Sequence, residues 1–209
     1  AIGGLSGIIS DISTIQFRML NKSKGPAMWS PRAQCDRKVF ELEWRQNLEK
    51  NKNIDFWQDT VKEILLKNNT VTGVLTNMGM KITSKSVVLC NGTFLNGIIH
   101  LGEKNYKGGR SGELSAEGIT KQLIKLGFKH GRMKTGTPPR LDGRSIDYSK
   151  TIEQKGDLDP KTFSYLTKSP VKSQMSCFIT HTSQKVHDIL RNDFKKSPLF
   201  NGRIKGVGP

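Results

Sequence analysis

The sequence is poor in the residues that build disulfide-stabilised or metal-centred proteins. It has three cysteines in 209 residues, Cys35, Cys90 and Cys177, and none belongs to a C-x-x-C pair. This odd number at wide spacing argues against a disulfide framework and a structural zinc site, and favours a reducing compartment. His181 and His187 lie six positions apart, which is about 240° around a helix, so they do not share a helix face. We therefore predict no metal centre.

Long apolar runs are also missing. No stretch approaches the roughly 20 apolar residues that a membrane-spanning helix needs. The N-terminus has no basic segment ahead of its apolar residues, as a signal peptide would have. These absences predict a protein with no membrane span and a cytoplasmic location. Because the chain starts without methionine and stops at Gly206-Val-Gly-Pro209, we expect it to be an excerpt of a longer protein.

Two common signatures of enzymes and nucleotide-binding proteins are absent. There is no G-x-S-x-G nucleophile motif, so hydrolysis has no support. There is no G-x-G-x-x-G fingerprint either; the nearest match, Gly3-Gly4-x-x-Gly7, has the wrong spacing and no preceding strand, and is interpreted as a turn. If the protein binds a dinucleotide, its main phosphate loop lies upstream of residue 1.

Acidic residues are scarce relative to basic ones. The chain has 18 Asp plus Glu against 34 Lys plus Arg, a formal charge of +16, which favours a polyanionic partner. Five of the cations lie between Phe17 and Arg37, a stretch with two prolines and one glycine. This composition predicts a constrained loop that holds an anion. Trp29 in this stretch is the better candidate for stacking on a base, whereas Trp44, on an apolar helix stripe, is predicted to be core.

Periodicity predicts alternating helices and strands. An amphipathic helix is expected over 37–50, with Asp36 as its N-cap. The apolar run at 87–89 predicts a strand covered on both faces. Residues 135–170 are predicted to be loop-rich. The predicted strands are 54–57, 61–66, 71–76 and 80–90, and the other predicted helices are 115–127, ending at Gly127, and 183–194.

Three short motifs contain glycine, and two of them also carry positive charge. Cys90-Asn-Gly92 ends the apolar strand, and its glycine leaves the backbone without a side chain that would block close approach. Lys107-Gly-Gly-Arg-Ser-Gly112 offers free N–H groups and two cations to an anion ahead of a helix. Lys134-Thr-Gly-Thr-Pro-Pro-Arg140 is stiffened by its prolines and carries a cation at each end. The alternatives, an ordinary turn or a flexible connector, stay open at this point.

Several of these segments, in the same order along the chain, resemble the GidA/MnmG family of flavoproteins. The resemblance implies an α/β fold: part of an FAD-binding, Rossmann-like fold of the two-dinucleotide-binding-domain flavoprotein type, with a β-meander and the start of an inserted α+β domain. It implies that residues 1–133 belong to the FAD-binding domain, including helix 37–50 and meander 54–90, and that 134–209 start the inserted domain. The matching segments include Lys24-Gly-Pro-Ala27, Arg32-Ala-Gln34, Gly92-Thr-Phe-Leu95 and Lys134 to Arg140.

The resemblance also implies an activity. The family's enzyme uses FAD, with NADH and methylenetetrahydrofolate as co-substrates, to add a (carboxymethyl)aminomethyl group at C5 of the tRNA wobble uridine. The implied partners are tRNA, an MnmE-type GTPase and a second copy of the chain. Two alternatives stay open: a folate- and FAD-dependent methyltransferase of the tRNA T-loop uridine, and a non-catalytic basic RNA-binding module. The family's two functional cysteines lie outside this sequence, so no residue here is expected to be catalytic.

The positions that match the family's motifs give the expected site residues. A serine is more usual in the family where this chain has Ala116, although Ser115 is adjacent. The expected cofactor contacts are Val61, Asn91, Gly92, Thr93 and Ala116. The expected tRNA or phosphate contacts are Lys24, Arg32, Arg37, Arg110, Lys134 and Arg140.

Overall fold

The computed structural model describes residues 4–204, which divide into two compact units. Residues 4–56 and 141–181 form unit 1, and residues 57–140 and 182–204 form unit 2. The limits of these units do not follow the predicted boundary between residues 133 and 134. The assignment of residues 1–133 and 134–209 to two functional domains remains a prediction.

Helices and short antiparallel sheets alternate along the described chain, which confirms the α/β class. The only parallel pairing among residues 4–204 is an isolated bridge between Leu95 and Ala116. The elements are α1 (Leu5–Ser13), β1 (Thr14–Leu20), β2 (Ser30–Cys35), α2 (Arg37–Glu49), β3 (Val61–Lys67), β4 (Thr70–Thr76), β5 (Lys81–Thr83), β6 (Ile98–Leu101), β7 (Lys104–Lys107), α3 (Ile119–Lys125), β8 (Ile152–Gln154), β9 (Cys177–Ile179) and α4 (Gln184–Asn192).

The stretch from Phe17 to Arg37, predicted as a loop, forms most of a β-hairpin instead. Strands β1 and β2 pair antiparallel, and two short 3-10 turns connect them. The two prolines, the glycine and the five cations of the whole stretch favoured the loop prediction. Phe17 is buried, 2% exposed, and meets Phe163 edge to face, whereas Asn21 and Gly25 take positive φ angles at the connection.

A distant segment covers the other edge of β1. The N–H groups of Met175 and Asp157 donate to the carbonyls of Ile15 and Phe17, at 2.8 and 2.9 Å. In return, the Phe17 N–H donates to the Gln174 side chain at 2.7 Å. Because a two-stranded hairpin is marginally stable alone, these bonds complete the small sheet of unit 1.

Helix α1 occupies the place where a turn was predicted. Gly3 lies outside the described residues, but Gly7 is helical, because Leu5, Ile8, Ile9 and Ile12 recur at helical spacing. Ile9 is fully buried.

The Asp11 carboxylate of α1 ties this helix to the segment from 163 to 167. It accepts hydrogen bonds from the N–H groups of Phe163 and Ser164, at 2.7 and 3.0 Å, and from the Thr167 hydroxyl at 2.6 Å. The helix and its neighbouring loop therefore hold each other in place.

Helix α2 follows its prediction closely. The Asp36 carboxylate accepts from the N–H groups of Lys38 and Val39, at 2.8 and 3.0 Å, so the predicted N-cap is confirmed. Trp44 is only half-buried, with its ring edge to face against Phe40. It was predicted to be core, but no residue of α2 is buried.

In unit 2, strands β3, β4 and β5 form an antiparallel meander. β3 and β4 match their predictions, and Asn68 and Asn69 make the tight turn between them with positive φ angles. Residues 54–57 form no strand. The predicted strand 80–90 shortens to β5, and Val88 is 84% exposed rather than covered. A strand covered on both faces needs neighbours for its backbone; the Ser84 N–H still donates to the Thr72 carbonyl at 3.0 Å, but residues 85–90 form no strand pairing in the described chain.

Helix α3 packs on β3 and begins at Ile119, four residues later than predicted. The Gln122 side chain donates to the Ile64 carbonyl at 2.6 Å and accepts from the Ile64 N–H at 2.7 Å. Gly127 ends the helix as predicted, with φ 89°. Helix α4 also forms as predicted, with Ser183 as its N-cap.

Candidate functional site

Unit 2 contains a groove of about 370 Å³ that brings together three of the five predicted cofactor contacts. Val61 begins β3, Asn91 begins a turn, and Ala116 lies in the segment before α3. The Ala116 N–H donates to the Phe94 carbonyl and its carbonyl accepts from Asn96, both at 2.9 Å, which fixes that segment against the turn. The other lining residues are Asp59, Thr60, Val74, Val87, Val88, Leu89, Cys90, Phe94, Leu114 and Ile119.

Gly92 and Thr93, the other two predicted contacts, lie in the adjoining turn and do not line the groove. Gly92 has a φ of 55°, and a Cβ built there would meet nothing within 4 Å, so the backbone is open to close approach. The Thr93 hydroxyl donates to the Gly109 carbonyl at 2.8 Å and so stabilises the turn.

Among residues 4–204, Asp59 is the only charged residue that lines the groove, and no motif in the sequence marked it. Its carboxylate accepts from the N–H groups of Thr60 and Met78, at 2.7 and 3.0 Å. A hydrogen bond from the Thr76 side chain, together with these two, lowers the pKa of Asp59 and keeps it ionised. A carboxylate at this position repels phosphate and accepts hydrogen bonds from hydroxyl groups.

Unit 1 contains a second pocket, of about 410 Å³, whose charged lining is entirely basic. Arg18 and Lys22 supply two of the cations and Arg32, a predicted contact, supplies the third. We call this the hairpin pocket. The rest of its lining comes from Met19, Leu20, Asn21, Ser23 and Gln154.

The arginines of the hairpin pocket are held by the strands that carry them. Arg18 of β1 lies directly opposite Arg32 of β2 in the hairpin register. Arg32 Nη2 donates to the side-chain oxygen of the buried Gln16 at 3.2 Å. The Nε atoms of both arginines are buried and have no hydrogen-bond partner. Sequence reasoning selected Arg32 alone, because the opposition of Arg18 depends on strand register.

The remaining predicted cations do not gather in one place. Lys24 is exposed in the turn of the hairpin. Arg37 pairs with Glu41 at 2.8 Å, and Arg110 pairs with Glu113 at 2.7 Å. Both of these guanidinium groups therefore already have a carboxylate partner within their own element or loop.

The two predicted basic loops differ in their pairing. In the loop 107–112, Lys107 pairs with Glu117 at 2.7 Å, and α3 starts well beyond Gly112, so the expected helix N-terminus is not adjacent. Lys134 is half-buried and Arg140 exposed in an irregular segment. Neither makes an ion pair with another described residue.

Neither a metal cluster nor a membrane helix is found in the described part of the chain. Residues 4–204 contain no group of three or more His, Cys, Asp or Glu residues arranged to hold a metal ion. None of the helices in that range has the length and apolar character needed to cross a membrane. The three cysteines are all free thiols.

The elements and the groove define part of an α/β protein, and comparison with known proteins identifies its family. The chain belongs to the family described as glucose inhibited division protein A (GIDA), whose model matches residues 1–209. This confirms the resemblance seen in the sequence.

Two similar relatives carry the same name. The chain is 61% identical over 211 residues to the tRNA uridine 5-carboxymethylaminomethyl modification enzyme MnmG of Flavobacterium johnsoniae, and 61% identical over 210 residues to that of Cytophaga hutchinsonii. In both comparisons all of this chain is covered, against 34% of the relative. The chain therefore spans about a third of the length of the curated relatives it matches.

A solved structure has the same fold. GidA of Aquifex aeolicus, in its form I crystal, matches with a TM-score of 0.88 and 42% sequence identity. The match covers 100% of this chain and 36% of that one.

Proposed function

We propose that this chain is the central part of an FAD-dependent enzyme that adds a (carboxymethyl)aminomethyl group at C5 of the tRNA wobble uridine. The observation that carries the proposal is the whole-chain match to a family whose relatives are named for this modification. NADH and methylenetetrahydrofolate as co-substrates, an MnmE-type GTPase and a second copy as partners, and a cytoplasmic location belong to the same proposal. They rest on the family resemblance.

The groove of unit 2 suits the adenosine part of FAD. Its walls are mainly apolar, with Val61, Leu89 and Ile119 among them, and can pack against a base. Asp59 can accept hydrogen bonds from ribose hydroxyls, as an acidic residue does in other dinucleotide sites. Its volume is near the lower end of the roughly 300–1,000 Å³ typical of ligand pockets, which fits a nucleoside better than a whole dinucleotide.

The phosphates and the reactive ring of FAD would then be held by other residues. The sequence has no G-x-G-x-x-G loop, and the Asp59 charge opposes a phosphate in the groove. Bound FAD supplies the electron-transfer chemistry. The residues described here bind and orient it; Cys35, Cys90 and Cys177 are assigned no catalytic role.

The proposal is tested by narrowing the groove in the complete protein. Ala116→Leu adds a side chain to the groove without removing a hydrogen bond, because Ala116 bonds only through its backbone. We expect the bound flavin per polypeptide, measured by absorbance, to fall by more than half. Wobble modification, measured by mass spectrometry of digested tRNA, should fall in parallel.

The matched control is Ala27→Leu, the same substitution at an exposed position of unit 1. It should leave flavin content unchanged. Full flavin content in Ala116→Leu would contradict the groove assignment. A product at the T-loop uridine would instead identify the methyltransferase, and tRNA binding with no modified uridine would identify a non-catalytic RNA-binding module.

A further inference from the structure

The hairpin pocket places two like charges opposite each other. Arg18 and Arg32 are direct cross-strand neighbours, an arrangement that destabilises a sheet when nothing compensates the charges. Their Nε atoms are buried without a hydrogen-bond partner, which adds a desolvation cost. Gln16 supplies an acceptor to Arg32 only. The opposed charges favour an anion from outside the chain, paired with the terminal nitrogens of the two guanidinium groups, as the group that compensates them.

The neighbouring carboxylate, Asp157, compensates this pair only in part. Asp157 Oδ2 accepts from Lys22 Nζ at 3.1 Å and from the Met19 N–H at 2.8 Å. The Arg18 charge also acts on this carboxylate, but no ion pair joins Asp157 to either arginine among the described residues. The described lining of the pocket holds three cations, Arg18, Lys22 and Arg32, and only Lys22 has an ion pair, with Asp157, which leaves a formal excess of two positive charges. At about 410 Å³ the pocket has room for a phosphate group and part of the molecule that carries it.

An aromatic ring lies beside the pocket. Trp29 is 48% exposed, and its indole N–H donates to the carbonyl of Lys22, a pocket residue, at 3.3 Å. The hydrogen bond fixes one edge of the ring and leaves much of its surface to solvent. Sites for single-stranded nucleic acid typically combine two features: cations that hold the phosphate backbone of the nucleic acid, and a neighbouring aromatic ring that stacks on a base.

We propose that the hairpin pocket binds a backbone phosphate of the RNA substrate, with an adjacent base stacked on Trp29. Guanidinium groups suit this role because their planar N–H donors match the oxygens of a phosphate. The choice of RNA rests on the proposed function, whereas the anion site rests on the two arginines alone. Of the three pocket cations, sequence motifs had selected Arg32 alone; the structure adds Arg18 and Lys22.

The test uses the complete, flavin-loaded protein and an unmodified tRNA anticodon stem-loop, with affinity measured across a range of salt concentrations. Arg18→Gln should weaken binding on the order of tenfold at low salt and reduce the slope of log affinity against log salt by about one. Trp29→Ala should weaken binding about fivefold or more. Arg144→Gln is the matched control, because it removes the same charge from an exposed side chain of the same unit.

Arg18→Lys is a second variant in case the Gln variant does not fold, as judged by circular dichroism. It keeps the charge but loses the planar donors, so the salt slope should stay while affinity drops several-fold. Affinity of Arg18→Lys and Arg18→Gln equal to that of Arg144→Gln would overturn the proposal. Loss of flavin from Arg18→Gln would overturn it as well, because the pocket would then serve the cofactor.

Inorganic phosphate is the competing probe. It should displace the stem-loop from the wild-type protein more effectively than from Arg18→Gln. Tight phosphate binding that leaves stem-loop affinity unchanged would show a small-molecule site and overturn the RNA assignment. The test of the RNA site and the test of the proposed function can fail independently. Ala116→Leu measures flavin content and tRNA modification, whereas Arg18→Gln measures RNA affinity at full flavin content.

Discussion

Gln16 is the residue on which the sheet of unit 1 and the hairpin pocket both depend. Its side chain is 1% exposed and makes hydrogen bonds at both ends. Nε2 donates to the carbonyls of Met175 and Gln154, at 3.0 and 3.3 Å. Oε1 accepts from Arg32 at 3.2 Å and from the Cys177 thiol at 3.5 Å. We expect Gln16→Leu, a change of similar size, to remove all four interactions at once.

The expected cost follows from the kind of each bond. The two bonds to carbonyls contribute about 1 kcal/mol each, and the bond from the charged Arg32 about 1.5–3 kcal/mol. The bond from the thiol is weak and is neglected. Burial of the more apolar leucine returns about 1 kcal/mol. The free energy of local opening around Gln16 should therefore fall by about 2–4 kcal/mol.

Hydrogen exchange read by mass spectrometry on the complete protein measures this directly. Amides in β1 and in the segment 174–179 should exchange faster by about 30-fold to 1,000-fold, at roughly 1.4 kcal/mol per factor of ten. The control is Gln34→Leu. Gln34 is the cross-strand register partner of Gln16 but is exposed, so this change should stay within about 0.5 kcal/mol of wild type. Equal exchange in the two variants would refute the reasoning.

Two further predictions concern stability. Burial alone raises the pKa of Asp157, but the Met19 N–H bond and Lys22 lower it, and the net result is a pKa below the usual value. The contribution of Asp157 to the stability of the folded protein is therefore complete above about pH 4. This contribution is lost as the pH falls through the lower pKa of the folded state. Asp157→Asn should remove that share of the acid dependence in unfolding measured between pH 2 and 6. Gly118 has φ 108°, and a Cβ there would overlap the Lys62 carbonyl, so Gly118→Ala should cost about 2–5 kcal/mol. Gly127, at the other end of α3, has a positive φ without the overlap, so Gly127→Ala should cost only about 1–2 kcal/mol. Thermal unfolding measures both stability losses. Equal losses in the two variants would show that the overlap with the Lys62 carbonyl has no effect.

Elements with a complete local signal could be predicted from the sequence. Helix α2 has its cap at Asp36 and its apolar spacing within a few turns. The β3–β4 hairpin has two asparagines between apolar runs, residues that tolerate the positive φ angles of a tight turn. In both cases the hydrogen bonds that define the element join residues close in sequence.

Elements that depend on distant partners could not be predicted. β1 is completed by Asp157, which lies 138 positions from Met19, and by Gln174, 157 positions from Phe17. Local composition presented this stretch as a basic loop. The prediction of a covered strand at 87–89 was wrong for a related reason. Hydropathy shows that a segment favours burial, but it does not show which element would bury it, and Val88 is exposed.

The residues of the candidate sites also divide into those that the sequence could indicate and those that only the structure brings together. The convergence of Val61, Asn91 and Ala116 on one groove agrees with the family resemblance, whereas periodicity gave no reason to group them. No sequence pattern marked Asp59 as a site residue, because a single aspartate before a strand is common. Arg18 and Arg32 lie fourteen positions apart, and only the register of the hairpin shows that they face each other.

The alternation of β1 explains why one strand can serve both the core and an anion. Successive side chains point to opposite faces, so Phe17 packs with Phe163 while Gln16 and Arg18 share the other face. The polar face is less stable than an apolar one would be, since it holds a buried amide and two opposed guanidinium groups. Gln16 limits that cost by fixing Arg32. An anion that paired with both arginines would therefore stabilise the hairpin, and RNA binding should slow hydrogen exchange in β1 and β2.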